Sequence, residues 1–285
     1  MTASSHRTLP RLSRRHLVAG AAALPLSRFL WTGSSAAAQR MDPYTFIRPM
    51  DSTTDVGQKV GVAAADSDPI TAGGQSWDAY IQLPIKEGQY FHFTCEFDSA
   101  EIILRAYDSD LSLDDQLEIV GQDETIEPYY EMTNRGYVIF GGDIEEHFSG
   151  HINENVLARA RGSAIRKVFD HEDLAVTVTG TRDKIEKALL VGEPVWFKGT
   201  VDFLDWDPTI WVTPDGDEFP VVLTNDHALI VMGFNDKDVI IRDPLGPTST
   251  NEKRPWQYML SWERYLDVIE SQGNDALAIG PKFLG

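Results

Sequence analysis

The 285-residue sequence contains a single cysteine, Cys95, so no disulfide can form within the chain. It holds no apolar run of the roughly 20 residues that a bilayer-spanning helix needs. Basic residues are scarce: 25 Lys and Arg stand against 44 Asp and Glu, a formal charge of -19. That balance argues against nucleic acid and anionic lipid as partners. There is no P-loop, no dinucleotide-binding glycine fingerprint and no serine-hydrolase elbow, which sets aside the chemistries those motifs serve. No repeat or low-complexity tract is evident. His147 and His151 have metal-ligand spacing, but Gly150 stands between them and no third ligand is apparent. Residues 108–119 imitate a calcium loop, but Leu113 takes the glycine position and Ile119 the bidentate glutamate position. Neither a metal nor a cofactor is expected.

Residues 1–38 lack acidic residues altogether and carry Arg7, Arg11, Arg14, Arg15 and Arg28. The apolar run from Leu17 to Leu26 and the small residues Ala36, Ala37 and Ala38 complete the layout of an export signal. The Arg14–Arg15 pair, with Ser13 before it and Leu17 after it, resembles a twin-arginine signal. No cysteine follows for a lipid anchor. The expectation is an exported protein, periplasmic, in the cell envelope or extracellular, with no stable membrane insertion once the signal is cleaved. Loss of these residues takes five arginines and no acid, moving the formal charge from -19 to -24. A hydrophobic content of 42% is still enough for a core. Oligomeric state leaves no mark in the sequence.

Residues 39–77 read as an irregular arm, and residues 78–285 as one domain with an insertion near 121–155. Phe97, Ala100, Leu104 and Tyr107 repeat at helical spacing, so residues 95–107 are expected to be a helix with Thr94 as its N-cap. Helices are also expected over 114–120, 155–168, 182–190 and 257–269. Strands are expected over 174–178, 194–198 and 276–279. The runs 228–234 and 239–242, joined by a turn at 235–238, predict a β-hairpin. Residues 121–155 and 202–218 read as loops that shape a pocket. Helices early and antiparallel strands late make an α+β layout.

An unpaired thiol in an exported chain is a liability unless it is buried or used. Cys95 opens a predicted helix, where free N–H groups and the helix dipole favour a thiolate. Glu96, Asp98 and Glu101 oppose this wherever they face the sulfur. Gln89, six residues upstream, places a side-chain amide within reach of the same helix start. His227 opens the first hairpin strand and Asp243 closes the second, so the hairpin sets a base beside an orienting carboxylate.

These residues, in the order Gln, Cys, His, Asp, resemble the papain-like cysteine peptidases. The segments FTCEFDSAEIIL, GEPVWFKGTV, NDHALIVMGFNDKDVIIRDPLG and ALAIG narrow the resemblance to the bacteriocin-leader peptidase-like, or peptidase C-39-like, group. It implies a papain-like fold, with an N-terminal helix carrying Cys95 packed on a C-terminal antiparallel sheet carrying His227 and Asp243. It implies Cys95 as nucleophile, His227 as general base and acid, Asp243 as orienter and Gln89 as oxyanion donor. The implied substrate is a peptide or protein, hydrolysed through a thioester. The alternatives are a catalytically silent domain binding peptide or cell-wall ligand, and a transglutaminase-like acyltransferase.

Overall fold

A computed structural model describes residues 47–50, 70–247 and 252–282. The expected signal, 1–38, lies outside the described residues, as does most of the arm. All described residues belong to one unit, Asp42–Gly285. The first strands are β1 (Arg48–Pro49), β2 (Ile70–Ala72), β3 (Gln75–Trp77) and β4 (Ala79–Tyr80). The described parts of the arm are thus strands rather than irregular chain. They are anchored by Ile47, Met50 and Trp77, all buried.

Helix α1 (Cys95–Ala106) and helix α2 (Leu113–Val120) follow. Ser112 caps α2 by accepting from Asp115 N, and Asp115 answers at Ser112 N, a reciprocal capping box. Next come β5 (Gln122–Asp123), β6 (Tyr129–Thr133), β7 (Gly136–Phe140), β8 (Phe148–Ser149), α3 (Gly162–His171), β9 (Leu174–Thr179), α4 (Arg182–Leu190) and β10 (Val195–Thr200). The chain closes with β11 (Pro208–Val212), β12 (Glu218–Val222), β13 (Asp226–Phe234), β14 (Asp238–Arg242), β15 (Gln257–Ser261), α5 (Trp262–Ser271) and β16 (Ala276–Pro281).

The main sheet runs β1-β15-β14-β13-β10-β16-β9, with β4 also pairing β13, and every pairing in it is antiparallel. Its two faces are told apart by neighbours on β10. Trp196 donates its indole N–H to Glu96 O on α1, while the next residue, Phe197, meets Tyr265 of α5 ring to ring at 4.9 Å. Both faces of β10 and β13 are therefore covered. That explains why β13 from Ala228 onward is an unbroken apolar run rather than an alternating one.

Three further expectations are corrected. Residues 121–155 and 202–218 are not mere loops: β6 and β7 join β11 and β12 in a second, four-stranded sheet. That sheet packs around Trp211, Ile139 and Val221. The helix expected over 257–269 is a strand, β15, followed by a helix. Ser261 divides them, since its hydroxyl accepts from Arg264 N and caps α5. The helix expected over 155–168 begins later, at Gly162.

Candidate active site

Cys95 is the first residue of α1 and is buried, 6% exposed. Thr94 holds the N-cap position, but its hydroxyl does not cap the helix. It accepts from Phe91 N at 3.1 Å and donates to Asp98 Oδ2 at 2.7 Å. The preceding loop is tied to α1 by buried charge. Lys86 Nζ lies 2.8 Å from Asp98 Oδ1 and 3.6 Å from the centre of the Tyr90 ring, and Tyr90 N donates to the same Asp98 oxygen. Tyr90 Oη donates to Glu101 Oε1 at 3.1 Å. Gln89 sits inside this braced loop, half-buried, and its amide has no hydrogen-bond partner among the described residues.

His227 and Asp243 are brought together by strand pairing. β13 and β14 pair antiparallel, with Ile230 opposite Arg242, so the start of one strand lies near the end of the other. His227 Nε2 is 2.8 Å from Asp243 Oδ1. Among the described residues Nδ1 has no partner. Asp243 is fully buried and receives three further donors: Leu245 N at 2.9 Å on Oδ1, then the Arg254 guanidinium and Tyr258 Oη, the latter at 2.8 Å, on Oδ2. Burial alone would raise its pKa, but Arg254 and His227 outweigh burial and hold the carboxyl well below its ordinary range. Arg254 also reaches Asp202 Oδ1, tying the Asp243 carboxylate to the chain that follows β10.

One cavity of about 140 Å³ gathers three of the four candidates, with Asp243 behind His227. Gln89, Cys95 and His227 all line it, with Phe93, Val156 and Leu245 among its walls. Of the loops expected to shape the pocket, neither supplies its bulk: Val156 and Val201 border the cavity from just outside them.

Burial and the Glu96 carboxylate together shape the electrostatics of the thiol. Burial is the largest cause pushing the Cys95 thiol well above its ordinary pKa, and the Glu96 carboxylate comes next. Cys95 Sγ donates to Glu96 Oε2 at 3.2 Å. Asp98 and Glu101, expected to matter if they faced the sulfur, bond instead to Lys86, Thr94, Tyr90 and Arg105. Lys198 opposes the acids: its Nζ lies 2.6 Å from Glu96 Oε1 and bonds Asp226 Oδ2, and both contacts are buried.

Arg254, Tyr258, Lys198 and Asp226 were not singled out by sequence. Only Asp226 carried a local signal, its place directly before His227. Lys198 and Tyr258 arrive through strand pairing, and Arg254 comes from the loop before β15. His147 and His151 belong to no cluster of metal-binding groups among the described residues.

The chain matches the peptidase C39-like family over residues 76–270. No curated protein matches it. A crystal structure from Bacillus anthracis, of a protein assigned to the C39-like peptidases, shares the fold with a TM-score of 0.54 and 16% identity. The match covers 70% of this chain and 94% of that one.

Proposed function

Because the chain belongs to the peptidase C39-like family, we propose that it is a papain-like cysteine peptidase with Cys95 as nucleophile, His227 as base and acid, Asp243 as orienter and Gln89 as oxyanion donor. One observation carries this reading: Gln89, Cys95 and His227 line the same cavity, and Asp243 binds the far nitrogen of His227. With Nε2 engaged, Nδ1 is the nitrogen left to take the thiol proton.

In this reading Cys95 Sγ gives its proton to His227 Nδ1 and attacks the substrate carbonyl carbon. The oxyanion is met by the Gln89 amide and the Cys95 backbone N–H, free at the helix start. The imidazolium returns the proton to the departing amine. Water, deprotonated by the same imidazole, then opens the thioester. Asp243 stays ionised throughout and stabilises the imidazolium. In the same reading residues 1–38 direct export by the twin-arginine route, on the strength of Arg14, Arg15 and the apolar run alone.

The test is a peptide-library cleavage assay on the mature protein and its Cys95→Ala variant. Cleavage by the first and none by the second is expected; equal cleavage by both overturns the reading, and amine incorporation in place of hydrolysis points to a transglutaminase-like acyltransferase. The contact of the thiol with Glu96 favours a second reading, a silent domain that binds peptide or cell-wall ligand. It predicts that Cys95 reacts with an epoxide probe no faster than free cysteine, with or without His227.

A further inference from the structure

Behind the cavity lies a buried chain of charges whose geometry is more specific than packing requires. Glu96 Oε1 takes the Lys198 ammonium at 2.6 Å and Ala160 N at 3.3 Å. Lys198 Nζ continues to Asp226 Oδ2, and Asp226 Oδ1 accepts from Gln272 Nε2 at 2.6 Å. Glu96 and Lys198 are at most 4% exposed. Every oxygen of the two carboxylates is engaged, and the one that takes neither Lys198, the Gln272 amide nor a main-chain N–H, Glu96 Oε2, has the Cys95 thiol as its partner.

We infer that Glu96 is a positioning residue for Cys95: its carboxylate holds the thiol hydrogen in a resting orientation, Lys198 locks that carboxylate, and the nucleophile is armed only when Sγ leaves Glu96 for His227 Nδ1. The inference rests on the proposed roles of Cys95 and His227. The balance is simple. In the resting state the proton stays on sulfur and Glu96 stays ionised against Lys198. On arming, the S–H bond breaks, the proton passes to Nδ1, and the electron pair remains on sulfur. Nothing is oxidised or reduced.

The charged groups around the sulfur fit this role. α1 contributes Glu96, β10 contributes Lys198, and β13 contributes Asp226 and His227. Arg159, before α3, acts on Asp226, and His92 lines the same cavity from the loop before α1. Of the charges that act on the thiol, Glu96 and Asp226 oppose a thiolate and Lys198 alone favours it. That imbalance opposes premature thiolate formation, and an exported thiol without a disulfide partner gains from staying protonated.

The test uses the intact chain and iodoacetamide, with the alkylation rate of Cys95 followed from pH 5 to 10. Glu96→Gln keeps the shape, removes the charge and offers an amide donor where the carboxylate accepted. The inflection is expected to fall by about one pH unit, a roughly tenfold faster alkylation on its acid side. Glu96→Asp serves where Glu96→Gln does not fold. It keeps the pairing with Lys198, withdraws the carboxylate from Sγ by one methylene, and is expected to shift the inflection the same way. An inflection unmoved or raised in the folded variant overturns the inference. The acid limb of kcat/KM on a cleaved peptide is expected to move with it, which a purely structural role would not produce. Peptide cleavage by Cys95→Ala would instead sink the proposed roles themselves, whatever Glu96 does.

Discussion

His227 meets Asp243 through Nε2, at 2.8 Å, and so presents Nδ1 as its second nitrogen. The choice of nitrogen follows from the fold. Asp243 stands just past the end of β14, where its carboxylate is fixed by Arg254, Tyr258 and Leu245 N as well as by the imidazole. Four groups converge on one buried carboxylate, so its position is over-determined. An imidazole hydrogen-bonded to it inherits that precision, because the bond sets both the tautomer and the ring orientation.

Asp243→Asn is expected to lower both activity and stability. The amide keeps an oxygen for Nε2 but turns an N–H₂ group, or a neutral oxygen, towards the Arg254 guanidinium. Breaking a buried ion pair on one side costs about 3–5 kcal/mol. The pH dependence has a definite sign. The folded pKa of Asp243 lies below its unfolded value, so the unfolded chain binds the proton more readily. Its contribution is full above about pH 4, the unfolded carboxyl range, and is lost as pH falls towards the folded value. Urea unfolding should therefore show a constant gap between wild type and variant from pH 5 to 8 that closes below about pH 4. A gap that does not depend on pH in the acid range would contradict this account.

Tyr258→Phe isolates one of the four contacts. It removes a single hydrogen bond to a charged acceptor and leaves the Arg254 pairing in place. A loss of about 1.5–3 kcal/mol in unfolding free energy is expected, smaller than that for Asp243→Asn. Peptide cleavage should persist, because neither the Cys95 thiol nor His227 is touched by Tyr258. Calorimetric melting and kcat/KM measured on the same sample would check both halves.

Gln89→Ala should behave in the opposite manner. The side chain is half-buried and its amide bonds to nothing among the described residues, so its loss should move the melting temperature little. If it donates to the oxyanion, kcat should fall about 10²–10³-fold with a small change in KM. A KM effect without a kcat effect would make Gln89 a substrate-binding residue instead.

The parts of the molecule legible in sequence are those built by local rules. The hairpin 226–242 was readable because two apolar runs flank a short turn, and its geometry alone sets His227 near Asp243. The start of α1 was readable from the spacing of Phe97, Ala100 and Leu104. The second sheet was not readable. β6 is an exposed edge strand, with Tyr129, Tyr130 and Met132 facing solvent, so it lacks the alternation that marks a half-buried strand. Residues 257–269 read as one helix because only Ser261 separates the apolar residues of β15 from those of α5. The bond from Arg264 N to Ser261 is the stop signal that periodicity does not contain. Arg254 and Lys198 were invisible for a different reason. A charged residue in a strand or loop looks solvated until its partner, contributed by another element, is known.

Gly233 tests whether the glycine in the Met-Gly-Phe end of β13 is structural. A Cβ there would lie 2.7 Å from the main-chain oxygen of Ala79 and 2.9 Å from Ile240 Cδ1. The first contact is backbone and cannot swing aside. It arises because β4 pairs β13 at this residue, Gly233 opposite Tyr80, while the β13–β14 register shifts between Val231 and Gly233. Gly233→Ala should therefore push β4 away and cost about 1–3 kcal/mol, as overpacking does. That corresponds to a Tm lower by about 2–4 °C per kcal/mol for a domain of this size. Hydrogen exchange should locate the loss: faster exchange at Ile81 N and Asp78 N, which donate to Met232 O and Phe234 O beside the glycine, with β10 unchanged. Uniform acceleration across β10, β13 and β14 would instead mean that the glycine is needed by the whole sheet rather than by the approach of β4.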